Sequence, residues 1–324
     1  MKKNQYIQKI VTIAVVLRDI YLHFFRHAII VNGYVDDHTW KGIRHRNWGD
    51  DLNYFFLREL TRRPVVFYHN YKLAKWLHLK NYLCIGTLLD AVNYANAQTI
   101  VWGSGVSGKE RSFVQPESIL AVRGPNTKEF CDRYGVSCLE VYGDPALLLP
   151  LVYKASPPAL PHRDDASKKY RLGIIPHVVD LHYPVVEEIR KNHANEILII
   201  DLAHYKNWTD VIDQICSCEK ILSSSLHGLI VSDAYQVSNC WIELSGKISG
   251  GYFKFIDYAS SVSRNFEKPI HIEKYADITD LVNHADLQFS YAKPEKIKDL
   301  QNGLINVAPF KLKGIQSKHI VGKG

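Results

Sequence analysis

Residues 119–142 read ILAVRGPNTKEFCDRYGVSCLEVY, and this stretch indicates the fold most directly. Its first and last runs, Ile119–Arg123 and Leu139–Tyr142, are short and contain β-branched residues, which predicts two strands. Between them, Pro125–Tyr134 begins with a proline and is followed by Gly135, the usual order of these residues at the two ends of a helix. A strand, a helix and a second strand in succession predict a parallel sheet covered by helices.

The same alternation extends over most of the 324 residues. Further strands are predicted at Ala28–Val31, Pro64–His69, Thr99–Gly103, Arg171–Ile175, Ile197–Ile200, Lys220–Leu222 and Cys240–Leu244. Further helices are predicted at Asp50–Leu60, Trp208–Ile215 and His227–Tyr235, and beyond Pro294. We therefore predict an α/β protein with two doubly wound, mostly parallel sheets that face a cleft.

The segment Lys154–Lys169 separates the two alternating sets, because it is rich in Pro, Ser and charged residues and has no periodicity. It predicts an N-terminal domain over residues 1–155, a linker over 156–167 and a C-terminal domain over 168–324 with a basic tail. Ligands of such folds bind at the carboxyl ends of the strands. We therefore expect the functional site in the cleft between the two halves.

Composition excludes several classes of protein. Hydrophobic residues make up 46% and charged residues 23%, which is typical of globular proteins and not of disordered chains, collagens or coiled coils. Forty Lys and Arg against 33 Asp and Glu give a net charge of +7, which suits an anionic small molecule, an anionic membrane or nucleic acid. Nucleic acid is excluded as a partner, because the basic residues are scattered and form no recognition motif.

The six cysteines include no C-x-x-C pair and the acidic residues form no D-x-D cluster, so no metal site is predicted. Reduced cysteines indicate a cytoplasmic protein. The apolar run Ile10–Leu17 is too short for a membrane span, and no signal-peptide cleavage site follows it. The longer segment Ile7–Phe25 predicts an amphipathic helix that either packs on the protein or makes peripheral contact with the inner membrane surface.

Polar or glycine-rich clusters follow nearly every predicted strand. Asn47, Gly49 and Asp50 precede a helix whose exposed amides can hold an anion or a sugar hydroxyl; the alternative is that Asn47 or Asp50 only caps the helix. The loop that begins with Gly103 and Ser104 either lets backbone approach a ligand or forms a plain turn. It does not predict a dinucleotide site, because neither a long helix nor a suitably placed acidic residue follows.

Ionisable residues stand at the ends of three other predicted strands. Arg123 precedes a helix start, where it can pair with a phosphate or carboxylate or form a surface salt bridge. Asp144 lies in a Gly-Asp-Pro turn, which can bind a hydroxyl or orient a base but also occurs without any function. His177 ends a strand on the side of the cleft.

The second half adds a hydroxyl-rich loop at another strand-to-helix junction. Ser223, Ser224 and Ser225 precede His227, and this combination can bind phosphate and supply a proton near neutral pH. Further candidates are the acid Glu243 at the end of the next strand and the cations Lys254 and Lys247.

Six motifs occur in a defined order: Asn47-x-Gly49-Asp50, Gly103-Ser104-Gly105, Arg123-Gly124-Pro125, Gly143-Asp144-Pro145-Ala146, Leu226-His227-Gly228 with Asp233-Ala234, and Phe253-Lys254-Phe255 with Asp257. Together they resemble the polysaccharide pyruvyl transferase family, in particular the branch that acts on bacterial exopolysaccharide. The resemblance implies two Rossmann-like domains, as in the two-domain B-type glycosyltransferases. It also implies transfer of the pyruvyl group of phosphoenolpyruvate onto a sugar of a surface polysaccharide or its lipid-linked precursor. The product is a ketal, phosphate is released, and neither a metal nor another cofactor takes part.

The resemblance further implies roles for individual residues. His227, Arg123 and Asp50 are the expected catalytic residues, with His227 as the general acid. The C-terminal domain is the expected donor side and the N-terminal domain the expected acceptor side. The donor would be held by Arg123, Ser223, Ser224, Ser225, His227 and Lys254, with Lys247 as a competitor of Lys254. The acceptor would contact Asn47, Gly49, Asp50, Gly103, Ser104, Asp144, His177 and Glu243. Some family members carry arginine where this chain has Ser225. The alternatives are a nucleotide-sugar-dependent glycosyltransferase and a non-catalytic carbohydrate-binding protein.

Overall fold

The computed structural model describes residues 2–35, 38–39, 42–43, 47–109, 114–156, 170–248, 250–284 and 289–315. The strands are β1 Ile29–Val31, β2 His38–Thr39, β3 Gly42–Ile43, β4 Val65–Phe67, β5 Asn81–Leu83, β6 Thr99–Trp102, β7 Ser118–Ala121, β8 Tyr170–Ile175, β9 Ile197–Ile199, β10 Cys218–Ser223, β11 Ser238–Glu243 and β12 Ile270–His271. The α-helices are α1 Lys2–Arg26, α2 Trp48–Thr61, α3 Lys72–Trp76, α4 Pro125–Arg133, α5 Leu149–Val152, α6 Pro184–Asn192, α7 Trp208–Cys216, α8 Leu226–Ala234, α9 Phe253–Ser261, α10 Tyr275–His284 and α11 Pro294–Asn306. The predicted linker beyond Ser156 and the last part of the basic tail lie outside these residues.

Ten of the strands form two five-stranded sheets. The first has the order β4-β1-β5-β6-β7 and the second the order β12-β11-β10-β8-β9. Every strand pair within the two sheets is parallel, and helices connect most successive strands. This arrangement confirms the predicted α/β class with two Rossmann-like sheets.

One predicted strand is wrong, and several elements were not predicted. Leu139–Tyr142 forms no strand: Tyr142 makes a single bridge to Val122, and Leu139 is 48% exposed. A strand of a buried parallel sheet is covered on both faces, and this run is not. Strand β5 contains no β-branched residue, so its own sequence gives no clear strand signal. Helices α6 and α9 were likewise missed.

Helix α8 lies at the centre of the molecule. All nine of its residues are buried, although His227, Ser232 and Asp233 are polar. A helix that is buried on every side packs against neighbours all round, and α8 contacts β10, β11 and α7 of its own half as well as the short 3-10 turn Pro145–Leu148 of the first half. Helix α8 therefore lies at the contact between the two halves, which fixes the position of His227 relative to both.

Helix α2 is bonded directly to the second half. The backbone N–H of Trp48 donates to Leu202 O at 2.8 Å, and its indole Nε1 donates to Trp208 O at 2.7 Å. The Tyr205 hydroxyl donates to Asp51 Oδ2 at 2.6 Å in a buried hydrogen bond. These three bonds hold the start of α2, where Asp50 lies, against the segment that joins β9 to α7.

The end of the chain returns to the first half. Trp102 Nε1 donates to the carbonyl of Leu304 at 3.0 Å, and Gln301 Nε2 donates to the carbonyl of Leu147 at 2.7 Å. Helix α11 thus packs beside the 3-10 turn Pro145–Leu148. Helix α11, at the end of the chain, therefore contacts the first half. The predicted domain boundaries stay a prediction.

Candidate active site between the two halves

Helix α2 begins at the site, and Asn47 is its N-cap. The Asn47 side chain accepts a hydrogen bond from Gly49 N at 3.3 Å, and its Nδ2 donates to Asp50 Oδ2 at 2.9 Å. The capping alternative is therefore observed for Asn47. The same amide holds the carboxylate of Asp50 in one orientation.

His227 lies in the first turn of α8 and packs directly on Gly49. A Cβ atom at Gly49 would lie only 2.0 Å from His227 Nδ1, so the imidazole occupies the space that any larger residue would need. The histidine is 8% exposed, and its Nε2 has no hydrogen-bond partner among the described residues. A buried polar atom without a partner is costly in a folded protein and is often found at a functional site.

Asp144 faces the same imidazole from the first half. Its Oδ1 accepts a hydrogen bond from Ala146 N at 2.9 Å, because Asp144 caps the 3-10 turn that follows it. Its Oδ2 lies 3.7 Å from His227 Nε2, somewhat beyond hydrogen-bond distance. The backbone thus fixes a carboxylate that can orient the His227 ring.

Two further ionisable groups are strongly perturbed. Removal from water raises the pKa of Asp50 to about 6, and the nearby His227 and Lys254 act in the opposite direction. Removal from water also lowers the pKa of Lys254 to about 8; the charge of Arg123 lowers it further, and Asp50 raises it. Asp50 therefore lies within electrostatic range of both His227 and Lys254. Perturbed pKa values of this kind cluster at functional sites.

His177 completes the cluster at the end of β8. Burial lowers its pKa to about 4, with smaller effects from Lys254 and His227. Its backbone N–H donates to Ser224 Oγ at 2.9 Å, and its Nδ1 accepts a hydrogen bond from Val179 N at 3.3 Å. At neutral pH the ring is therefore uncharged and carries its proton on Nε2, where it can donate to a ligand oxygen.

In the serine loop before α8, the hydroxyls of Ser223 and Ser224 make hydrogen bonds that shape the loop. Ser223 Oγ donates to Ser225 O at 2.8 Å and accepts from Ser225 N at 3.0 Å, and Ser224 Oγ bonds to His177 as described. Ser225 is the N-cap of α8, but its hydroxyl makes no capping hydrogen bond. The donor-binding role of the three serines stays a prediction, and Ser225 is the one whose hydroxyl is not used to shape the loop.

Arg123 is a buried side chain whose guanidinium contacts protein atoms. Its Nε donates to Asp257 Oδ2 at 2.9 Å, Nη1 to Thr87 Oγ1 at 2.8 Å and Nη2 to Val106 O at 2.8 Å. A Cβ atom at Gly105 would lie 2.4 Å from its Cζ, so the predicted ligand loop makes room for this arginine. The role of Arg123 as a donor ligand stays a prediction.

Asp257 was not among the predicted site residues, and it joins the two halves. One carboxylate oxygen accepts from Thr127 N at 2.9 Å, and the other accepts from Thr127 Oγ1 at 2.7 Å and from Arg123. The N-cap of α4 is Gly124, which has no side chain, so a residue of α9 caps α4 from the other half. The glycine at this N-cap is the feature of the sequence from which a capping hydrogen-bond acceptor elsewhere in the chain could have been predicted.

The remaining predicted residues have other contacts. Gly103 has a φ of +94° and packs against Pro145, and the buried Ser104 hydroxyl donates to Gly86 O at 2.9 Å. Glu243 accepts hydrogen bonds from Tyr252 OH at 3.0 and 3.1 Å, and Lys247 is exposed. Their ligand-binding roles stay predictions.

Asp50→Asn is expected to increase stability above pH 6. The pKa of Asp50 is raised in the folded state from 3.8 to about 6, so folding favours the protonated carboxyl and wild-type stability falls as pH rises between these values. A shift of about two units corresponds to at most about 3 kcal/mol. Urea unfolding from pH 4 to pH 8 measures the effect, with the exposed Asp299→Asn as control. A gain that is equally large at pH 4 would contradict the assignment.

Comparison with known proteins adds an independent observation. A family model described as polysaccharide pyruvyl transferase matches residues 14–246 of this chain. This range includes Asp50, Asp144, His177 and His227 and ends before Lys254. An uncharacterized protein of Acanthamoeba polyphaga mimivirus is 26% identical over 247 residues, which are 75% of this chain and 74% of the viral protein. The matched residues thus cover most of both sheets and most of the ionisable cluster.

Proposed function

The chain belongs to the polysaccharide pyruvyl transferase family, and we propose that it transfers the pyruvyl group of phosphoenolpyruvate onto a sugar as a ketal, with release of phosphate. The proposed acceptor is a sugar of a bacterial surface polysaccharide or exopolysaccharide, or its lipid-linked precursor. The observation that carries the proposal is the position of His227. Its unpartnered Nε2 lies between the two halves, 3.7 Å from Asp144, in a cluster that also contains Lys254.

The cluster suits a small donor with two anionic groups. Phosphoenolpyruvate carries a phosphate and a carboxylate, and such groups bind to cations and to the free amides at a helix start. Lys254 supplies the cation, and the start of α8 supplies backbone amides together with the Ser225 hydroxyl. His177, uncharged at neutral pH, adds one hydrogen-bond donor.

The reaction begins with a proton transfer from His227 to the methylene carbon of the donor. The double bond supplies the electron pair, the methylene becomes a methyl group, and the adjacent carbon becomes cationic. Asp144 keeps the ring oriented for the transfer.

Two sugar hydroxyls then complete the ketal. The first attacks the cationic carbon and loses its proton to Asp50, whose raised pKa suits a general base near neutral pH. The C–O bond to phosphate breaks, and a second hydroxyl adds to the same carbon. Its proton goes to the departing phosphate, so the products are the ketal and inorganic phosphate.

Incubation of the full chain with phosphoenolpyruvate and a panel of sugars tests the proposal. We expect phosphate release that depends on both substrates, together with a ketal product detected by mass spectrometry. In deuterium oxide the new methyl group should contain deuterium, because His227 exchanges its proton with solvent. Glycosyl transfer from a nucleotide sugar without any reaction of phosphoenolpyruvate would contradict the proposal, as would glycan binding without turnover.

Donor affinity is expected to fall as pH rises through about 8. The lowered pKa of Lys254 means that its ammonium group loses its proton there, and a neutral amine attracts the donor less. Lys254→Met should weaken binding roughly 10- to 100-fold at pH 7, the usual range for a charge-assisted contact. Calorimetric titration with phosphoenolpyruvate from pH 7 to pH 9 measures both effects. Lys254→Arg is the control, since arginine stays charged; an unchanged pH dependence in that variant would exclude Lys254 as the donor cation.

A further inference from the structure

Helix α1 carries a stripe of exposed apolar side chains. Ile13, Leu17, Tyr21, Phe24 and Phe25 are between 50% and 71% exposed. Their spacing of three or four residues places them on one side of the helix. Such side chains are normally scattered over a protein surface, and a contiguous set of this size marks an interaction site.

The opposite side of α1 packs on the protein. Val15 and Asp19 are buried, and Ile20 and Leu22 pack against a small core that contains Ile30 of β1. The helix is therefore seated on the first sheet by one side, and the stripe faces away from it.

Helix α3 packs on the same small core as α1 and carries two further exposed apolar side chains. Trp76 is 76% exposed and Leu77 is 42% exposed, while Leu73 and Ala74 belong to the same small core as Ile20 of α1. The two helices are thus neighbours. We name as the α1–α3 face the side chains Ile13, Leu17, Tyr21, Phe24, Phe25, Trp76 and Leu77. These are seven of the fifteen large exposed apolar side chains in the described part of the chain.

The same two segments are strongly basic. Within α1 the sequence has five cationic residues and a single acid, Asp19, which is buried and pairs with Arg18 at 2.7 Å. The cationic residues are Lys2, Lys3, Lys9, Arg18 and Arg26. Around α3, residues 69–80 contain three lysines and no acid, and Lys72 and Lys75 are exposed. Apolar and aromatic side chains flanked by cations are the pattern of a surface that binds anionic lipid.

We propose that the α1–α3 face binds an anionic lipid bilayer, with α1 lying in the plane of the interface. No described helix is long and apolar enough to cross a membrane, so the helix lies on the bilayer and does not span it. A second copy of the chain is a less suitable occupant, because it would bring two basic surfaces together. This inference goes beyond the proposed function and does not depend on it.

The face also has a defined relation to the site. Only His27 and Ala28 separate α1 from β1. The carbonyl of His27 accepts a hydrogen bond from Arg63, just before β4, whereas His23 packs on Tyr71, beyond the end of β4, so the helix runs back along the sheet, antiparallel to its strands. Its amino-terminal end therefore points toward the carboxyl ends of the strands, the edge at which His227 and Asp50 lie.

Cosedimentation of the full chain with vesicles tests the proposal. We expect binding to vesicles of phosphatidylcholine with phosphatidylglycerol, little binding to phosphatidylcholine alone, and release by salt. Leu17→Glu and Trp76→Ser should each weaken binding roughly tenfold or more, because each removes a large apolar side chain from the bilayer contact. Val92→Glu is the matched control, since Val92 is 67% exposed, like Leu17 at 61%, but lies outside the face.

Three results would overturn the proposal. They are equal binding to neutral and anionic vesicles, unchanged binding by both face variants, and a dimer in sedimentation velocity that Leu17→Glu dissociates. Calorimetric titration with phosphoenolpyruvate separates this question from the proposed function. A Leu17→Glu variant that binds the donor normally but not the vesicles supports the membrane role. A wild-type chain that binds vesicles but not phosphoenolpyruvate would contradict the proposed function and leave the membrane role supported.

Discussion

Replacing His227 with alanine is expected to lower the rate of pyruvyl transfer roughly 100- to 10,000-fold, the usual range for loss of a positioned general acid. The imidazole is the group whose unpartnered nitrogen lies in the cluster between the halves, and its position is fixed by Gly49 on one side and Asp144 on the other. Steady-state phosphate release at saturating phosphoenolpyruvate measures the loss. Donor affinity should change far less than the rate, because His227 acts on the methylene carbon and Lys254 holds the anionic groups.

Two further variants make this result specific. His182→Ala removes an exposed histidine of the same half, which pairs with Glu187 on the surface, and should leave the rate unchanged. Gly49→Ala keeps His227 but places a Cβ atom where its ring lies, so we expect a comparable loss of rate. Near-normal turnover of His227→Ala, with a normal thermal melting curve, would remove His227 from the mechanism.

Replacing Asp257 with alanine is expected to lower the free energy of unfolding by about 3–5 kcal/mol, the usual cost of leaving one partner of a buried ion pair alone. The substitution leaves the buried guanidinium of Arg123 without its carboxylate and removes the cap of α4 at Thr127. Both losses weaken the contact between α4 and α9, which belong to different halves of the chain. Urea denaturation followed by circular dichroism measures the change.

A second substitution at the same contact distinguishes charge from packing. In the double variant Arg123→Met with Asp257→Leu no charge is left unpaired, so we expect it to be more stable than Asp257→Ala. Glu117→Ala, which breaks the exposed pair with Lys80, is the matched control and should cost no more than about 1 kcal/mol. An Asp257→Ala variant as stable as this control would show that the pair does not hold the halves together.

The fold could be predicted because its elements have strong local signals. Short β-branched runs and the helix that starts at Pro125 and ends before Gly135 were enough to predict two parallel sheets. The signals were insufficient where a strand has no β-branched residue, as in β5, or where an apolar run lies at the surface, as at Leu139. Whether these two segments form strands depends on the elements packed around them as well as on their own residues.

From the sequence, the site could be predicted only as a set of candidate residues at the ends of strands and the starts of helices. His227, Asp144 and Asp50 each follow a predicted strand or begin a helix, and the structure brings all three together. Their mutual arrangement depends on how the two halves pack together at α8, for which no local pattern exists. Gly49 shows the difference, since its predicted role was to expose amides and its observed role is to make room for an imidazole.

Arg123 shows a second limit of local patterns. An arginine at a strand end before a helix start looks the same whether its counter-ion is a ligand or a side chain. Here a carboxylate 134 residues further along the chain contacts it, and nothing near Arg123 in the sequence predicts that. The pair between Arg123 and Asp257 depends on how the two halves pack against each other.

The contact between Trp102 and Leu304 has a consequence for folding during synthesis. The two residues are 202 positions apart, so the indole N–H of a fully buried tryptophan leaves the ribosome long before its acceptor exists. At about 5–20 residues per second, this interval is roughly 10–40 s. Until then, the surface of the first sheet that α11 later covers is open to chaperones or to other nascent chains. A chain truncated before α11 should therefore aggregate, even with every residue of the ionisable cluster present.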